Sequence, residues 1–206
     1  MPLTSLYFLS SQFCNTIRQI VREVARISST RPETHLATRP INLDMIGLSW
    51  LNDLVFHLIV QPLTRHLYMK SECADCPLDW RHGYVAGYSA QASAETATPR
   101  NRLVLHTDDS EVTLNVGLGD LFEGGELEFH GLRGNENYVG SYSPILGKAV
   151  LHAGRHLHQV STVTHGDRYA FIMWARSWTG IRSESCPCCW LNRRIDNYCI
   201  CGPAWN

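Results

Sequence analysis

From Leu103 onward the apolar residues of this chain abandon a helical period and come in short runs of strand length. Leu103-Val104-Leu105-His106 is one run, and the β-branched, alternating Val112-Thr113-Leu114-Asn115-Val116 is another. Glu123-Gly124-Gly125-Glu126 reads as a turn, after which Leu127-Glu128-Phe129 alternates again. Residues 131–144, rich in Gly, Asn and Ser, read as loop or edge. Lys148 to His152, His156 to Val163, and Arg168 to Ala175 supply three further strands, with Thr164-His165-Gly166-Asp167 as the turn between the last two. Strands this short bury a core only by stacking, so the pattern predicts a β-sandwich or barrel.

The stretch before Leu103 reads differently. Phe13, Ile17, Ile20, Val24 and Ile27 recur at three- and four-residue steps and predict an amphipathic helix, broken by Ser28-Ser29-Thr30-Arg31-Pro32. A second helix is expected over 49–60, with Leu51, Leu54, Val55 and Leu58 on one side. Pro62 kinks it or starts the next turn, and Leu63 and Leu67 continue the apolar face. Tyr84 to Tyr88 reads as a short strand, followed by a loop to Asn101 that is poor in large apolar residues. Helices followed by strands make the class α+β.

Length and charge narrow the function. A chain of 206 residues with 44% hydrophobic content suits one globular domain. A net charge of -1 gives no electrostatic case for nucleic acid or a membrane surface. Apolar runs such as Leu58-Ile59-Val60 fall far short of a bilayer span. The N-terminal segment lacks a basic stretch, so no signal peptide is read and a cytoplasmic location is expected. The eight cysteines cluster as Cys73 and Cys76, as Cys186, Cys188 and Cys189, and as Cys199 and Cys201. Cys73-x2-Cys76 with Cys186 and Cys189 has the spacing of a structural Zn site, and reduced thiols are the plainer reading. Cys14 stands alone and is expected as a small buried hydrophobe.

The chemistry rests on His106-x-Asp108, His158 and Arg168. Two histidines and a carboxylate hold one face of Fe(II) and leave the opposite positions open for a chelating acid and O2. One His-x-Asp carries little weight in a chain with ten histidines, and a second stands at His165-Gly166-Asp167. The first is preferred because a strand end projects both side chains to one side, whereas the second straddles Gly in a predicted turn. The distal ligand is His158 or His156, which share a face if the segment is extended. His152 reads as a core residue, or as one that supports a ligand from behind. Asp109 is expected to point away from Asp108. The ten residues from His158 to Arg168 predict a strand, a turn and a hairpin return beside the metal. The plain alternatives are an exposed Arg168 paired with Asp167, and Tyr88 as core packing.

Three segments carry a resemblance to a known family. They are LHTDDSEVTLNVGLGDLFEGGELEFHG, GKAVLHAGRHLHQVSTVTHGDRYAFIMWARS, and CPCCW. Together they resemble the Fe(II)- and 2-oxoglutarate-dependent oxygenases, in the prolyl/lysyl-hydroxylase-like group of 2-oxoglutarate and iron-dependent oxygenase domain proteins. The resemblance runs over residues 82–190. It implies a double-stranded β-helix (jelly-roll, cupin-like) core at 82–185, an N-terminal helical support at 1–81, and a Cys-rich tail at 186–206. It implies that His106, Asp108 and His158 are the catalytic metal ligands. Arg168 then pairs with the C5 carboxylate of 2-oxoglutarate, Tyr88 assists it, and Thr113 and Asn115 wall the pocket. The implied cofactors are Fe(II) and 2-oxoglutarate, with ascorbate as reductant. The implied reaction is a dioxygenase reaction that hydroxylates a protein or amino-acid side chain, prolyl or lysyl, with release of succinate and CO2. Two other readings stand beside it: a catalytically silent scaffold, and a metal hydrolase or cupin-like isomerase. The complete ligand and anchor set weighs against both.

Overall fold

A computed structural model describes residues 4–29, 40–68, 78–91, 100–119, 121–132 and 136–180. Cys73, Cys76 and the C-terminal cysteines lie outside the described residues, as does most of the loop after Ser89.

The strand-rich half folds as two antiparallel sheets. The large sheet joins β1 (Thr4–Tyr7), β9 (Lys148–Ala153), β5 (Val112–Gly117), β11 (Val163–Arg176), β3 (Trp80–Ser89) and β2 (Ile41–Asn42) in that spatial order. A short β6 (Phe122–Gly124) pairs with the start of β11. The small sheet runs β4 (Leu103–His106), β10 (His156–Val160), β7 (Leu127–Leu132) and β8 (Gly140–Tyr142). From β3 to β5, and again from β8 to β11, the chain alternates between the sheets, as a jelly roll requires.

Strand periodicity then sorts the side chains into two cores. Val112, Leu114 and Val116 of β5 and Phe171 and Met173 of β11 face the helices. Val150, Ala170, Ile172, Tyr88 and Ala86 face the small sheet, meeting Leu127, Phe129 and Val160. Every residue of β5 is buried, so Thr113 and Asn115 point between the sheets. Polar groups there demand partners.

The helices cover the outer face of the large sheet. Helix α1 (Ser11–Ser29) buries Cys14, Ile17 and Val21, so Cys14 is the small core residue its isolation indicated. The buried face is rotated from the expected one, and Ile27 is exposed. The second helical stretch runs without a break from α2 (Ser49–Val55) through a π-helical turn (Phe56–Val60) into α3 (Gln61–Tyr68). Leu51, Val55 and Val60 are buried, while Leu54 and Leu58, expected on the same face, are exposed. A π turn holds more residues than an α turn, so it shifts the phase of the buried stripe. It sits just before Pro62, whose missing N–H interrupts the α ladder. Among the described residues no helix is long and apolar enough to cross a membrane.

The turn expected at 164–167 is absent. β11 is continuous from Val163 to Arg176, because β6 pairs alongside its first residues and holds them extended. Gly166 takes φ +70° next to a register shift, a bulge that glycine alone among its neighbours adopts cheaply. The reversal after β10 falls instead at Ser161 and Thr162, where Ser161 N donates to Glu126 O (2.9 Å). It carries the chain into the opposite sheet, so His158 and Arg168 are not hairpin neighbours.

Candidate functional site

His106 ends β4 and sits directly across from His158 on β10. Asp108 lies just past the end of β4, where its backbone N–H donates to Gly154 O (2.8 Å). One ligand atom from each of His106, Asp108 and His158 lies within 4.8 Å of the others. His106 Nε2 is 3.4 Å from one Asp108 oxygen and His158 Nε2 is 3.5 Å from the other.

The backbone sets the tautomers. His106 Nδ1 is 2.8 Å from Val104 O, and His158 Nδ1 is 2.8 Å from His156 O. A carbonyl only accepts, so each Nδ1 carries the proton and each Nε2 presents its lone pair toward Asp108. That is the arrangement a metal-binding imidazole needs. Asp108 Oδ2 accepts from the Thr113 hydroxyl at 2.7 Å. Burial opposes the charge of Asp108, but the facing His158, the adjacent His106 ring and the hydrogen bond from Thr113 outweigh it, holding the carboxyl well below its usual range. Burial lowers the pKa of His158. His106 is raised despite burial, chiefly by the adjacent Asp108 carboxylate.

His156 stands apart. A bulge on β10 between His156 and His158 breaks the alternation that would put them on one face. His156 is outside the triad, and burial and the nearby Arg155 push its pKa down to about 4. Asp109 turns outward, where Arg176 binds its carboxylate (2.8 Å) and its carbonyl (2.6 Å). His165 is exposed, and His165 and Asp167 are not part of the metal-competent group.

The triad opens into a cavity of about 240 Å³ between the sheets, walled by Tyr84, Tyr88, Thr113, Asn115, Leu127, His152, Val160, Ile172 and Trp174 among others. Arg168 lines the same cavity. It is 1% exposed, and its Nε and both terminal nitrogens lack any hydrogen-bond partner. Tyr88, its cross-strand neighbour, lies under the guanidinium at 5.2 Å. Burial lowers the pKa of Arg168, yet a guanidinium stays charged at neutral pH. A buried cation with every donor free calls for an anion in the cavity. Arg168 is thus not the exposed strand residue paired with Asp167.

Sequence reading missed parts of this wall. Trp174 and Tyr84 were legible only as strand residues. Arg176 and Glu111, which bolt the Asp108 loop to the end of β11 (Glu111 accepts from Ser177 N at 2.8 Å), carry no motif.

A two-sheet jelly roll with a His-x-Asp…His triad has the donor set of a non-haem Fe(II) oxygenase centre, and a buried cation lines the same cavity. No family model matches the chain. Curated relatives do. A "2-oxoglutarate and iron-dependent oxygenase domain-containing protein ICU11" of Arabidopsis thaliana is 33% identical over 182 residues, 82% of this chain and 43% of that protein. A "PKHD-type hydroxylase" of a Synechococcus strain is 31% identical over 146 residues, 71% of this chain and 58% of that protein. The chain therefore spans less than half the length of the plant relative. A prolyl hydroxylase of Trichoplax adhaerens, solved with a hypoxia inducible factor peptide fragment, shares the fold. Its TM-score is 0.58 at 20% identity, over 85% of this chain and 84% of that one. The chain is a homologue of the 2-oxoglutarate and iron-dependent oxygenases, with a double-stranded β-helix core.

Proposed function

We propose that the chain is an Fe(II)- and 2-oxoglutarate-dependent dioxygenase that hydroxylates a peptidyl side chain, prolyl or lysyl. The observation that carries this is Arg168, a buried cation with no hydrogen-bonded partner, lining the cavity that holds the triad. In this reading His106 Nε2, Asp108 and His158 Nε2 hold the iron, and Arg168 binds the distal carboxylate of the co-substrate with Tyr88 beside it. When bound, iron with 2-oxoglutarate supplies the oxidant: one atom of O2 goes to the substrate C–H and the other to succinate, with CO2 released.

The residues are set for this by the backbone: each Nδ1 is held on a carbonyl oxygen, which leaves Nε2 as the ring nitrogen that faces the metal position. Thr113 holds one Asp108 oxygen. Leu127, Val160 and Ile172 keep the Arg168 end dry, which strengthens its pairing with a carboxylate. The peptide substrate rests on the PKHD-type relative and on the peptide-bound prolyl hydroxylase that shares the fold.

The test is succinate release from 2-oxoglutarate with Fe(II) and ascorbate, first uncoupled and then with proline- and lysine-containing peptides. His106→Ala and Asp108→Ala are expected to abolish release. Absence of succinate from a folded protein that binds metal, across such a panel, sinks the proposal.

A further inference from the structure

With the triad and Arg168 accounted for, His152 Nε2 is still a buried polar atom without a partner. His152 is 2% exposed and lines the cavity from β9. Its Nδ1 is 3.0 Å from Ala153 O, so Nδ1 carries the proton and Nε2 is a bare acceptor. His152 thus stands behind the triad with an acceptor, not a donor, turned toward Asp108. Nε2 stands 4.0 Å from Asp108 Oδ2, beyond hydrogen-bond reach and facing a second acceptor. The ring is clamped, with Phe129 edge-on at 5.2 Å and the His158 ring at 4.8 Å.

The strand register explains the aim. His152, Thr113 and Trp174 are cross-strand neighbours in one row of the large sheet, beneath Asp108. Thr113 uses its hydroxyl on Asp108 Oδ2. Beside it His152 offers a lone pair toward the same carboxylate. Two acceptors at that separation are reconciled by a small molecule with hydrogens to give.

We propose that His152 is a positioning residue of the metal centre, whose Nε2 accepts a hydrogen bond from a water on the open side of a divalent ion held by His106, Asp108 and His158. The inference rests on reading the triad as a metal centre. His152 stays outside the ligand set and orients what the ion carries, as supporting groups around metal sites do.

The test uses Mn(II), which reports binding and water without turnover. Free Mn(II) is measured by EPR for the wild type, His152→Leu, His152→Met and His152→Gln. The apolar variants are expected to bind about tenfold more weakly or worse, whereas His152→Gln, whose amide oxygen can supply an acceptor, recovers most of the loss. The proton relaxation enhancement of bound Mn(II) is expected to fall in the apolar variants, a change that loss of packing alone does not produce. ENDOR of the wild-type complex is expected to show two coordinated imidazoles and exchangeable water protons, and needs no variant to fold. A third coordinated imidazole, or no exchangeable proton, overturns the proposal. So do apolar variants that match the wild type in affinity and relaxation, or a glutamine variant as weak as leucine. If the wild type itself binds no Mn(II), the metal-centre reading falls and takes this inference with it. Wild-type binding with an indifferent His152 refutes the inference alone.

Discussion

Arg168→Met separates a binding cation from a structural one, because the two roles predict opposite signs. Methionine keeps the apolar stem and removes a charge that is 1% exposed and has no hydrogen-bonded partner. Replacing buried charge by an apolar group is expected to stabilise the ligand-free protein by about 1–4 kcal/mol. For a chain of this size each kcal/mol raises the melting midpoint by about 2–4 °C. Removing one partner of a buried, hydrogen-bonded charge pair costs about 2–5 kcal/mol of binding, roughly 30- to 4,000-fold in Kd. At 2-oxoglutarate near 100 times its Kd, with Mn(II) present, the wild type gains about 2.7 kcal/mol. That corresponds to a rise of roughly 5–11 °C. At the same concentration Arg168→Met is expected to gain under about 1 kcal/mol. The assay is calorimetry with and without 2-oxoglutarate, with succinate and glutarate as controls. A variant that melts lower than the wild type without ligand, yet keeps the full 2-oxoglutarate shift, refutes the argument.

The remaining predictions concern the same cavity. His158→Ala is expected to abolish Mn(II) binding, while His156→Ala leaves it within about threefold, since its ring is outside the triad and the backbone O that holds His158 Nδ1 is kept; isothermal titration decides between them. Gly125→Ala places a Cβ 2.8 Å from Arg168 Cδ at a residue with φ +70°. We predict at least a tenfold weaker 2-oxoglutarate affinity with metal binding retained, and equal affinity would count against it. Thr113→Val removes the hydroxyl that holds Asp108 Oδ2 and is expected to weaken Mn(II) about tenfold. Acid should destabilise the metal-free protein through His152. Burial, with His158 adding to it, pushes the His152 pKa down to about 3, below the ~6.5 of an unfolded histidine. The unfolded chain then takes up a proton that the folded chain refuses. Stability therefore falls below about pH 6.5, by about 2 kcal/mol at pH 5 from His152 alone. Urea unfolding at pH 7 and pH 5 measures that slope, which His152→Leu is expected to flatten.

The local part of the site was legible because its signals are local. A strand end throws His106 and Asp108 to one side within three residues, and β5 declares its buried polar pair by placing Thr113 and Asn115 among Val and Leu. The same logic failed where pairing, not propensity, ruled. Thr164 to Asp167 has the composition of a turn, yet β6 draws it into a strand. Leu58 continues the stripe of Leu51 and Val55 by α-helical spacing, yet it sits in a π turn and faces solvent. His156 and His158 fit one face, yet a bulge parts them.

The sequence by itself determined the strand-rich class, the His-x-Asp motif and a short set of histidines and one arginine from which the site is drawn. Those are properties of spacing along a chain. Tertiary structure alone decided which histidine joins the triad, that the Arg168 guanidinium has no hydrogen-bonded partner, and that Gly125 leaves room for its stem. It also decided that His152 presents a lone pair rather than a proton. Each depends on what lies across a 240 Å³ gap between two sheets, among residues remote in sequence. Burial and partnership are relations between strands, and a one-dimensional pattern does not carry them.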